Sequence, residues 1–348
     1  MQYIKDLSLE ELKNWLKEND EPAYRSGQIF QWLYASAVRD FSQMTNLPAG
    51  LREKLANGFE ISPLRLANKL VSFSDNTEKY LLELGDNRTV ESVVMPYLPA
   101  GRQVRARCTI CISTQVGCRF HCVFCASGKR GLIRNLSYGE IVEQVVLGRQ
   151  EGHNITHIVF MGMGEPLDNL DNVIKAIGVF NHPQGFNIGA RRMTISTCGI
   201  PAGIRKLMAL HWQVELSVSL HAPTDELRSR LMPINRQYPL KTLIKELKEY
   251  ISRTNRQVTF EYIMIEGLNS SDNDAVLLGR MLKGMNCKVN LIPFNPTSAV
   301  SNFRPPIASK IKRFQKALSD AGVKNTLRDS RGADIQGACG QLSLLSKV

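Results

Sequence analysis

Three cysteines lie close together in the 348-residue chain, where Cys118, Cys122 and Cys125 form the pattern C-x3-C-x2-C. Thiolates are soft ligands that bind iron–sulfur clusters and zinc. A structural zinc site takes four protein ligands, whereas three cysteines leave one iron of a four-iron cluster free to bind another molecule. The spacing therefore raises the hypothesis of an iron–sulfur cluster with an open coordination position.

Two other interpretations fit the same cysteines. Cys108 and Cys111 form a C-x2-C pair that, together with Cys122 and Cys125, is compatible with a zinc site. On a helix, positions 118, 122 and 125 would instead share one face and could be small core residues. The zinc interpretation leaves Cys118 unused, and from the local pattern all three interpretations stay open.

Composition predicts a cytoplasmic protein with a polyanionic substrate. The net charge is +12, and residues 101–150 hold eight Arg and Lys against two Glu. A basic surface beside a reactive site suits nucleic acid, although a generally basic soluble protein would show the same charge. Eight cysteines, a polar N-terminus and the lack of a long apolar run predict a reducing compartment and no membrane association.

The chain divides by pattern into three parts. Residues 1–68 predict a small helical accessory module that could touch RNA, with helices near 7–19, 25–36 and 48–56. Residues 69–98 predict a β-hairpin connector, because two strand-like runs flank Gly85-Asp86-Asn87. Residues 99–348 predict the main domain, which begins with a loop at 99–102.

The main domain alternates between strand and helix patterns, which predicts an α/β fold of six βα units. We expect strands near 107–113, 155–160, 192–197, 213–220, 258–265 and 287–293. We expect helices near 138–150, 170–181, 201–210, 240–253, 272–284 and 307–321. Such units form a partial barrel or an open sheet, and in both cases ligands gather at the carboxyl ends of the strands.

Small and polar residues follow nearly every predicted strand. Glu165, Ser196, His221 and Asn295 supply hydrogen-bonding groups there, and glycines let the backbone approach a ligand closely. Each segment alone could be a turn, and His221 alone is more typical of a structural histidine. Together on one edge they predict a bound cofactor.

The chain resembles the radical S-adenosylmethionine superfamily and, within it, the RNA adenine methyltransferases that modify C2 in 23S rRNA and tRNA. The resemblance covers essentially the full length. Its motifs are the three cysteines, Gly162-Met163-Gly164-Glu165-Pro166, Ser219-Leu220-His221, Ile292-Pro293-Phe294-Asn295-Pro296 and the tail from Arg331 to Leu342. It implies a partial (β/α)6 barrel, a [4Fe-4S] cluster on Cys118, Cys122 and Cys125, and S-adenosylmethionine bound to the open iron.

The resemblance also implies roles for single residues. Cys339 matches the cysteine that carries the methyl group, Cys111 matches its resolving partner, and Glu91 matches a proton acceptor. Cys108, Cys198 and Cys287 match no role. The S-adenosylmethionine contacts of the family match Gly164, Glu165, Ser196, Ser219, Leu220, His221 and Asn295.

Because adenine C2 is not nucleophilic, the family uses a radical route. By this resemblance, one S-adenosylmethionine methylates Cys339, and a radical from a second takes hydrogen from the S-methyl group. The carbon then adds to adenine, Glu91 removes the C2 proton, and Cys111 frees the product by forming a disulfide with Cys339. The resemblance further implies an electron donor such as flavodoxin or ferredoxin, a thiol reductant and a monomeric enzyme. Cys339 must be a thiolate to accept a methyl group, and we expect surrounding basic residues to favour that form.

Two other functions remain open. A C8-methylating relative of the same family would use the same cluster, but Pro166 and Arg331-Gly332 favour C2. From a different class, the chain could be a zinc-dependent RNA-binding protein without enzymatic activity. Iron in the anaerobically purified protein would exclude the second.

Overall fold

The computed structural model describes residues 2–97, 107–297, 300 and 302–343. The loop predicted at 99–102 lies outside these residues. Within the described ranges, helices are too short or too polar to cross a lipid bilayer.

The N-terminal part is a small module of three helices held by two short strands. It consists of β1 (Gln2–Tyr3), α1 (Leu9–Glu18), α2 (Arg25–Tyr34), α3 (Ala49–Gly58) and β2 (Phe59–Glu60). A capping box starts α1, because Ser8 Oγ accepts from Glu11 N at 3.2 Å while Glu11 accepts from Ser8 N at 2.7 Å. β1 pairs with β2 in parallel, which closes the module on itself.

Next come three antiparallel strands and the start of the main domain. These elements are β3 (Leu64–Val71), β4 (Glu78–Leu84), β5 (Thr89–Tyr97), β6 (Arg107–Cys111), β7 (Gln115–Gly117) and β8 (Leu132–Asn135). β5 pairs with β6 so that Val93 lies opposite Cys111. The hairpin strands therefore extend the same sheet that carries the main domain.

The rest of the chain alternates between helices and strands. The helices are α4 (Tyr138–Gln150), α5 (Leu170–Asn181), α6 (Pro201–Ala209), α7 (Asp225–Leu231), α8 (Leu240–Thr254), α9 (Asp272–Leu282) and α10 (Ala308–Asp320). The strands are β9 (His157–Phe160), β10 (Met193–Thr197), β11 (Glu215–Ser219), β12 (Val258–Met264), β13 (Cys287–Pro293) and β14 (Lys324–Leu327). A second capping box, at Ser137 and Glu140, starts α4.

One ten-stranded sheet organises the molecule, in the order β14-β13-β12-β11-β10-β9-β6-β5-β4-β3. From β6 to β14 the neighbours are parallel, and from β3 to β6 they are antiparallel. All seven residues of β12 are buried, as expected for a central strand covered on both faces. The parallel strands end on the same side, which sets up a site at their carboxyl ends.

The N-terminal module is fixed to the main domain by a buried ion pair. Lys5 Nζ contacts one carboxylate oxygen of Glu143 on α4, and both side chains are almost completely buried. Ser62 Oγ donates to the other oxygen at 2.6 Å. Losing one partner of such a pair would leave an uncompensated buried charge, so this contact holds the module firmly in place.

The α/β fold predicted from the sequence is confirmed, and all six predicted parallel strands are present. The short strands β1, β2, β7 and β8 were not predicted, and three further elements, β3, β14 and α7, were missed as well. β3 crosses residue 68, where the helical module was expected to end, and seven of its eight residues are exposed or only partly buried. β14 adds a seventh parallel strand, and α7 has only seven residues. None of the three has the long apolar periodicity that sequence patterns depend on.

Candidate active site

A cavity of about 160 Å³ opens at the carboxyl ends of the parallel strands. Its wall includes the three cysteines of the motif, Cys339, and residues that follow β9, β10 and β11. The predicted site residues on this wall are Cys118, Cys122, Cys125, Gly164, Glu165, Ser196, Ser219, His221 and Cys339. Among the described residues, Glu91, Cys111, Leu220 and Asn295 do not line it.

The cysteine motif lies on an irregular loop after β7. Cys118 N donates to Gly131 O at 3.0 Å, and Val123 N donates to Leu231 O of α7 at 3.0 Å. Gly117 has φ +78°, and a Cβ there would lie 2.0 Å from Gly131 O, so the turn into the loop requires glycine. The motif is therefore held by backbone bonds on both sides, and it is not a helix face.

The surroundings of Cys118 and Cys122 favour the neutral thiols over the thiolates. Burial raises the pKa of Cys118 to about 12 and the pKa of Cys122 well above its ordinary value, and their negative neighbours add to both shifts. Metal coordination displaces the protons from such thiols. Three soft donors on one cavity wall thus fit a three-cysteine iron–sulfur cluster.

Gly164 and Glu165 form a tight turn after β9. Gly164 has φ +97°, and a Cβ there would lie 2.6 Å from the side chain of Gln115. Glu165 uses both carboxylate oxygens, which accept from Leu167 N at 3.0 Å and from Cys198 N at 2.7 Å. Glu165 therefore shapes the wall, while the backbone at Gly164 comes close to whatever fills the cavity.

His221 is a neutral hydrogen-bonding group on the wall. Its Nδ1 accepts from Ile263 N at 3.0 Å, and its ring meets Phe124 edge-on at 4.7 Å. Burial, with a smaller effect of Arg228, lowers the pKa of His221 to about 3. The neutral ring then carries its proton on Nε2, which is available as a donor.

Cys339 lies on the C-terminal segment at residues 331–343, against the cysteine loop. Asn295 Nδ2 donates to Cys339 O at 3.3 Å, and Ala126 N donates to Gly340 O at 2.9 Å. Asn295 thus contacts the segment that carries Cys339, in addition to any cofactor contact.

The residue Cys339 is exposed to the open cavity, yet the protein around its sulfur displaces much of the hydration of that atom. This burial raises the pKa of the thiol to about 11, and the Glu261 charge adds to the shift. Arg328 opposes it. The expected help from basic residues is therefore present, but burial outweighs it.

Cys111 is buried at the end of β6, behind the cavity wall. Burial raises the pKa of its thiol, and the negative charge of Cys339 raises it further. The two thiols are thus electrostatic neighbours although they are far apart in the sequence. Both are free thiols in this structure.

Glu91 is completely buried on β5, two residues before the strand position opposite Cys111. Its Oε1 lies 3.1 Å from Lys79 Nζ, and its Oε2 accepts from Ser343 N at 2.8 Å. The carboxylate therefore contacts the segment that carries Cys339 but is engaged by a lysine.

Two charged residues at the site were not predicted. Glu261 lines the cavity, and its Oε1 accepts from Ser217 Oγ and Asn290 Nδ2, both at 3.0 Å. Arg228 is 1% exposed and lies beneath the wall. The only sequence signal for either was its charge: Glu261 stands in an otherwise uncharged strand, and Arg228 stands in a short helix with other charged residues.

Comparison with known proteins places this site in context. The model of the radical SAM superfamily matches residues 112–278, and that of the ribosomal RNA large subunit methyltransferase N-terminal domain matches residues 3–61. A crystal structure of a radical SAM methyltransferase from Sphaerobacter thermophilus superposes with a TM-score of 0.93. It is 43% identical and covers 99% of this chain and 100% of its own.

Curated relatives are similar over nearly the full length. A probable dual-specificity RNA methyltransferase RlmN from Clostridium perfringens (strain SM101) is 44% identical, covering 98% of this chain and 96% of the relative. The protein of the same name from Bacillus cytotoxicus is 46% identical, covering 97% and 92%. The chain therefore belongs to the RlmN family of dual-specificity RNA methyltransferases, within the radical SAM superfamily.

Proposed function

We propose that the chain methylates C2 of an adenine in 23S rRNA and in tRNA, with Cys339 as the carrier of the methyl group. The observation that carries this proposal is the position of Cys339 on the same cavity wall as Cys118, Cys122 and Cys125. Similarity over nearly the full length to RNA methyltransferases favours the enzyme over an RNA-binding zinc protein.

As a member of the radical SAM superfamily, the chain uses a [4Fe-4S] cluster and S-adenosylmethionine. Cys118, Cys122 and Cys125 hold the cluster, which together with S-adenosylmethionine supplies a radical able to break a carbon–hydrogen bond. Gly164 and Glu165 border the space for S-adenosylmethionine, and Ser196, Ser219 and His221 offer hydrogen bonds to it. Leu220 and Asn295 support this wall from behind: Leu220 N donates to Glu261 O at 3.0 Å.

Cys339 first loses its proton to solvent, and its thiolate attacks the methyl carbon of S-adenosylmethionine. The new carbon–sulfur bond forms on the protein as the bond from that carbon to the sulfonium sulfur breaks, and S-adenosylhomocysteine leaves with the electron pair. Because the pKa of Cys339 is raised, loss of its proton costs free energy near neutral pH, and Arg328 favours the thiolate. The exposed position of Cys339 in the cavity leaves room for the methyl group and for an incoming base.

After the carbon carried by Cys339 has joined the adenine, Cys111 releases the product. Its thiolate attacks the Cys339 sulfur, a disulfide forms, and the bond from sulfur to the transferred carbon breaks with its electron pair on that carbon, which takes a proton. The electrostatic proximity of the two thiols supports this pairing. An external thiol reductant restores both cysteines, and a flavodoxin- or ferredoxin-type protein supplies electrons to the cluster.

Glu91 is the proposed acceptor of the adenine C2 proton. Its contact with Ser343 N links it to the segment that carries Cys339, and its strand position is close to that of Cys111. For this role the carboxylate must turn from Lys79 toward the bound adenine, which couples proton removal to a movement of the C-terminal segment.

The RNA has to present an unstacked adenine, because the reacting cysteine lies inside a cavity. The net charge of +12 favours the approach of a polyanion. The N-terminal module matches a domain of ribosomal RNA methyltransferases and is fixed to the core by Lys5 and Glu143. We assign the enzyme to the cytoplasm, where ribosomes and tRNA are found, and we expect it to act as a monomer.

The test is anaerobic turnover of the reconstituted enzyme on 23S rRNA fragments and on tRNA, followed by nucleoside analysis. We expect 2-methyladenosine from both RNAs. Formation of 8-methyladenosine instead would overturn the assigned position on the ring. A purified protein that contains zinc and no iron would overturn the enzyme assignment altogether.

A further inference from the structure

Arg228 is a buried cation beneath the cavity wall. It lies on α7 and is 1% exposed. In the described part of the chain it makes no ion pair with a carboxylate. A buried charge without a counter-ion is costly, because the protein interior solvates ions poorly. This residue therefore needs an explanation.

Neutral groups satisfy its hydrogen bonds. Its guanidinium donates to Cys198 O at 2.8 Å, to Ser219 O at 3.0 Å, to Leu220 O at 3.2 Å and to Asn235 Oδ1 at 2.9 Å. These partners orient the group but do not neutralise it. The side chain of Asn235 links Arg228 to the nearby carboxylate of Asp225, because Asn235 Nδ2 donates to that carboxylate at 2.9 Å.

The helix that carries Arg228 also supports the cysteine motif. Leu231 O, at the end of α7, accepts from Val123 N between the second and third cysteines. Leu231 and the following Met232 are buried in the apolar cluster against which Cys122 and Cys125 pack. Met232 and Cys198 line the cavity together with the three cysteines. Arg228 is thus fixed behind the proposed ligands of the cluster.

The electrostatic effects agree with this placement. Burial lowers the pKa of Arg228, while the negative charges of Cys198, Cys122 and Asp225 act in the opposite direction. The geometry points the same way, because Arg228 donates to the backbone oxygens of Cys198 and Ser219, which line the cavity together with the three cysteines. A four-iron cluster held by three thiolates carries net negative charge, and this charge grows when the cluster is reduced.

We propose that Arg228 is the fixed counter-charge of the iron–sulfur cluster and holds its reduction potential higher than the three thiolates alone would set it. A nearby cation stabilises the more negative, reduced cluster relative to the oxidised one, so the electron is easier to add. The inference rests on the cluster of the proposed function. It makes Arg228 a positioning residue that acts through the cluster, without contact to RNA.

The experiment compares three variants with the wild type as reconstituted holoproteins, without RNA or S-adenosylmethionine. Arg228→Met removes the charge, and Arg228→Lys keeps a charge but changes the hydrogen bonds. Asn235→Ala keeps Arg228 and removes one hydrogen bond of its guanidinium, together with the bonds from Asn235 to Asp225 and Ser229. The measurements are iron per chain and the midpoint potential of the cluster, followed by electron paramagnetic resonance during a redox titration.

We expect a more negative midpoint in Arg228→Met, a midpoint close to wild type in Arg228→Lys, and no shift in Asn235→Ala. An Arg228→Met cluster with the wild-type midpoint would overturn the proposal. If Arg228→Met holds no iron, Arg228→Lys decides: wild-type iron and midpoint support the charge role, and loss of iron or a shifted midpoint overturns it. Because no methylation is measured, a wild type that holds the cluster but makes no methyladenosine would contradict only the proposed function.

Discussion

The cysteine loop at residues 118–125 and the C-terminal segment at 331–343 meet at one cavity but are fixed by different contacts. Backbone hydrogen bonds to the core and apolar packing hold the loop. The segment depends more on side chains: Asp334 accepts from Ser72 Oγ at 2.8 Å and Phe73 N at 3.1 Å, and Gln341 donates to Pro296 O at 2.7 Å. Each such hydrogen bond contributes only about 0.5–1.5 kcal/mol to stability, so the segment can break these bonds one at a time.

This difference matches the two tasks. A loop that holds a cluster needs fixed geometry, whereas a carrier cysteine must react with a methyl donor, an adenine and a second thiol in turn. Both regions have thiols of raised pKa, about 12 for Cys118 and about 11 for Cys339. At the loop, the proposed cluster would replace the proton, but at the segment the proton must leave before the sulfur can react.

The largest effect should come from removing a cysteine of the loop. We expect Cys125→Ala to lose nearly all bound iron after anaerobic reconstitution, because the remaining two thiolates cannot complete the ligand set. Iron per chain measures this. Cys287→Ala is the matched control, since Cys287 is a buried cysteine on β13 that does not line the cavity. If Cys125→Ala binds as much iron per chain as the wild type, the loop does not hold the proposed cluster.

The next effect concerns the other pair of thiols. We expect Cys111→Ala to keep its iron and to accept methyl on Cys339, but to accumulate a covalent adduct with RNA because nothing attacks the Cys339 sulfur. Denaturing gels of anaerobic reactions measure the adduct. Cys108→Ala, on the same strand, should turn over normally, and Cys339→Ala should form no adduct. A Cys111→Ala enzyme that releases product at the wild-type rate would contradict the resolving role.

The smallest effect is on the acidity of Cys339 itself. Because its pKa is raised to about 11, the thiolate fraction should grow roughly tenfold per pH unit from pH 7 to 10 and level off above pH 11. The rate of iodoacetamide labelling of the Cys339 peptide, followed by mass spectrometry, measures this. In Arg328→Gln the rate near neutral pH should fall a few-fold, since Arg328 favours the thiolate. A profile that levels off near pH 8 would show that burial does not control this thiol.

Local patterns were sufficient for most of the fold. The helices at 138–150 and 170–181 follow from amphipathic or apolar periodicity, and Ser137 with Glu140 marked the start of the first. β3 and α7 were not predicted, because an exposed edge strand and a seven-residue helix gain their stability from neighbours. Glu91 was named from the resemblance and Asn295 first from its place after a predicted strand. Only the structure shows the contact of Glu91 with Lys79 and that of Asn295 with the Cys339 segment.

The sequence by itself determined which cysteines are the proposed ligand set, since Cys118, Cys122 and Cys125 lie within eight residues and their spacing is a local property of the chain. The tertiary structure decided which distant groups share the site. It brings Cys339 to the cavity wall, places Cys111 within its electrostatic field and buries Arg228 behind the loop. The physical reason is that burial and charge proximity depend on how strands and helices pack, and residue spacing along the chain does not encode that packing.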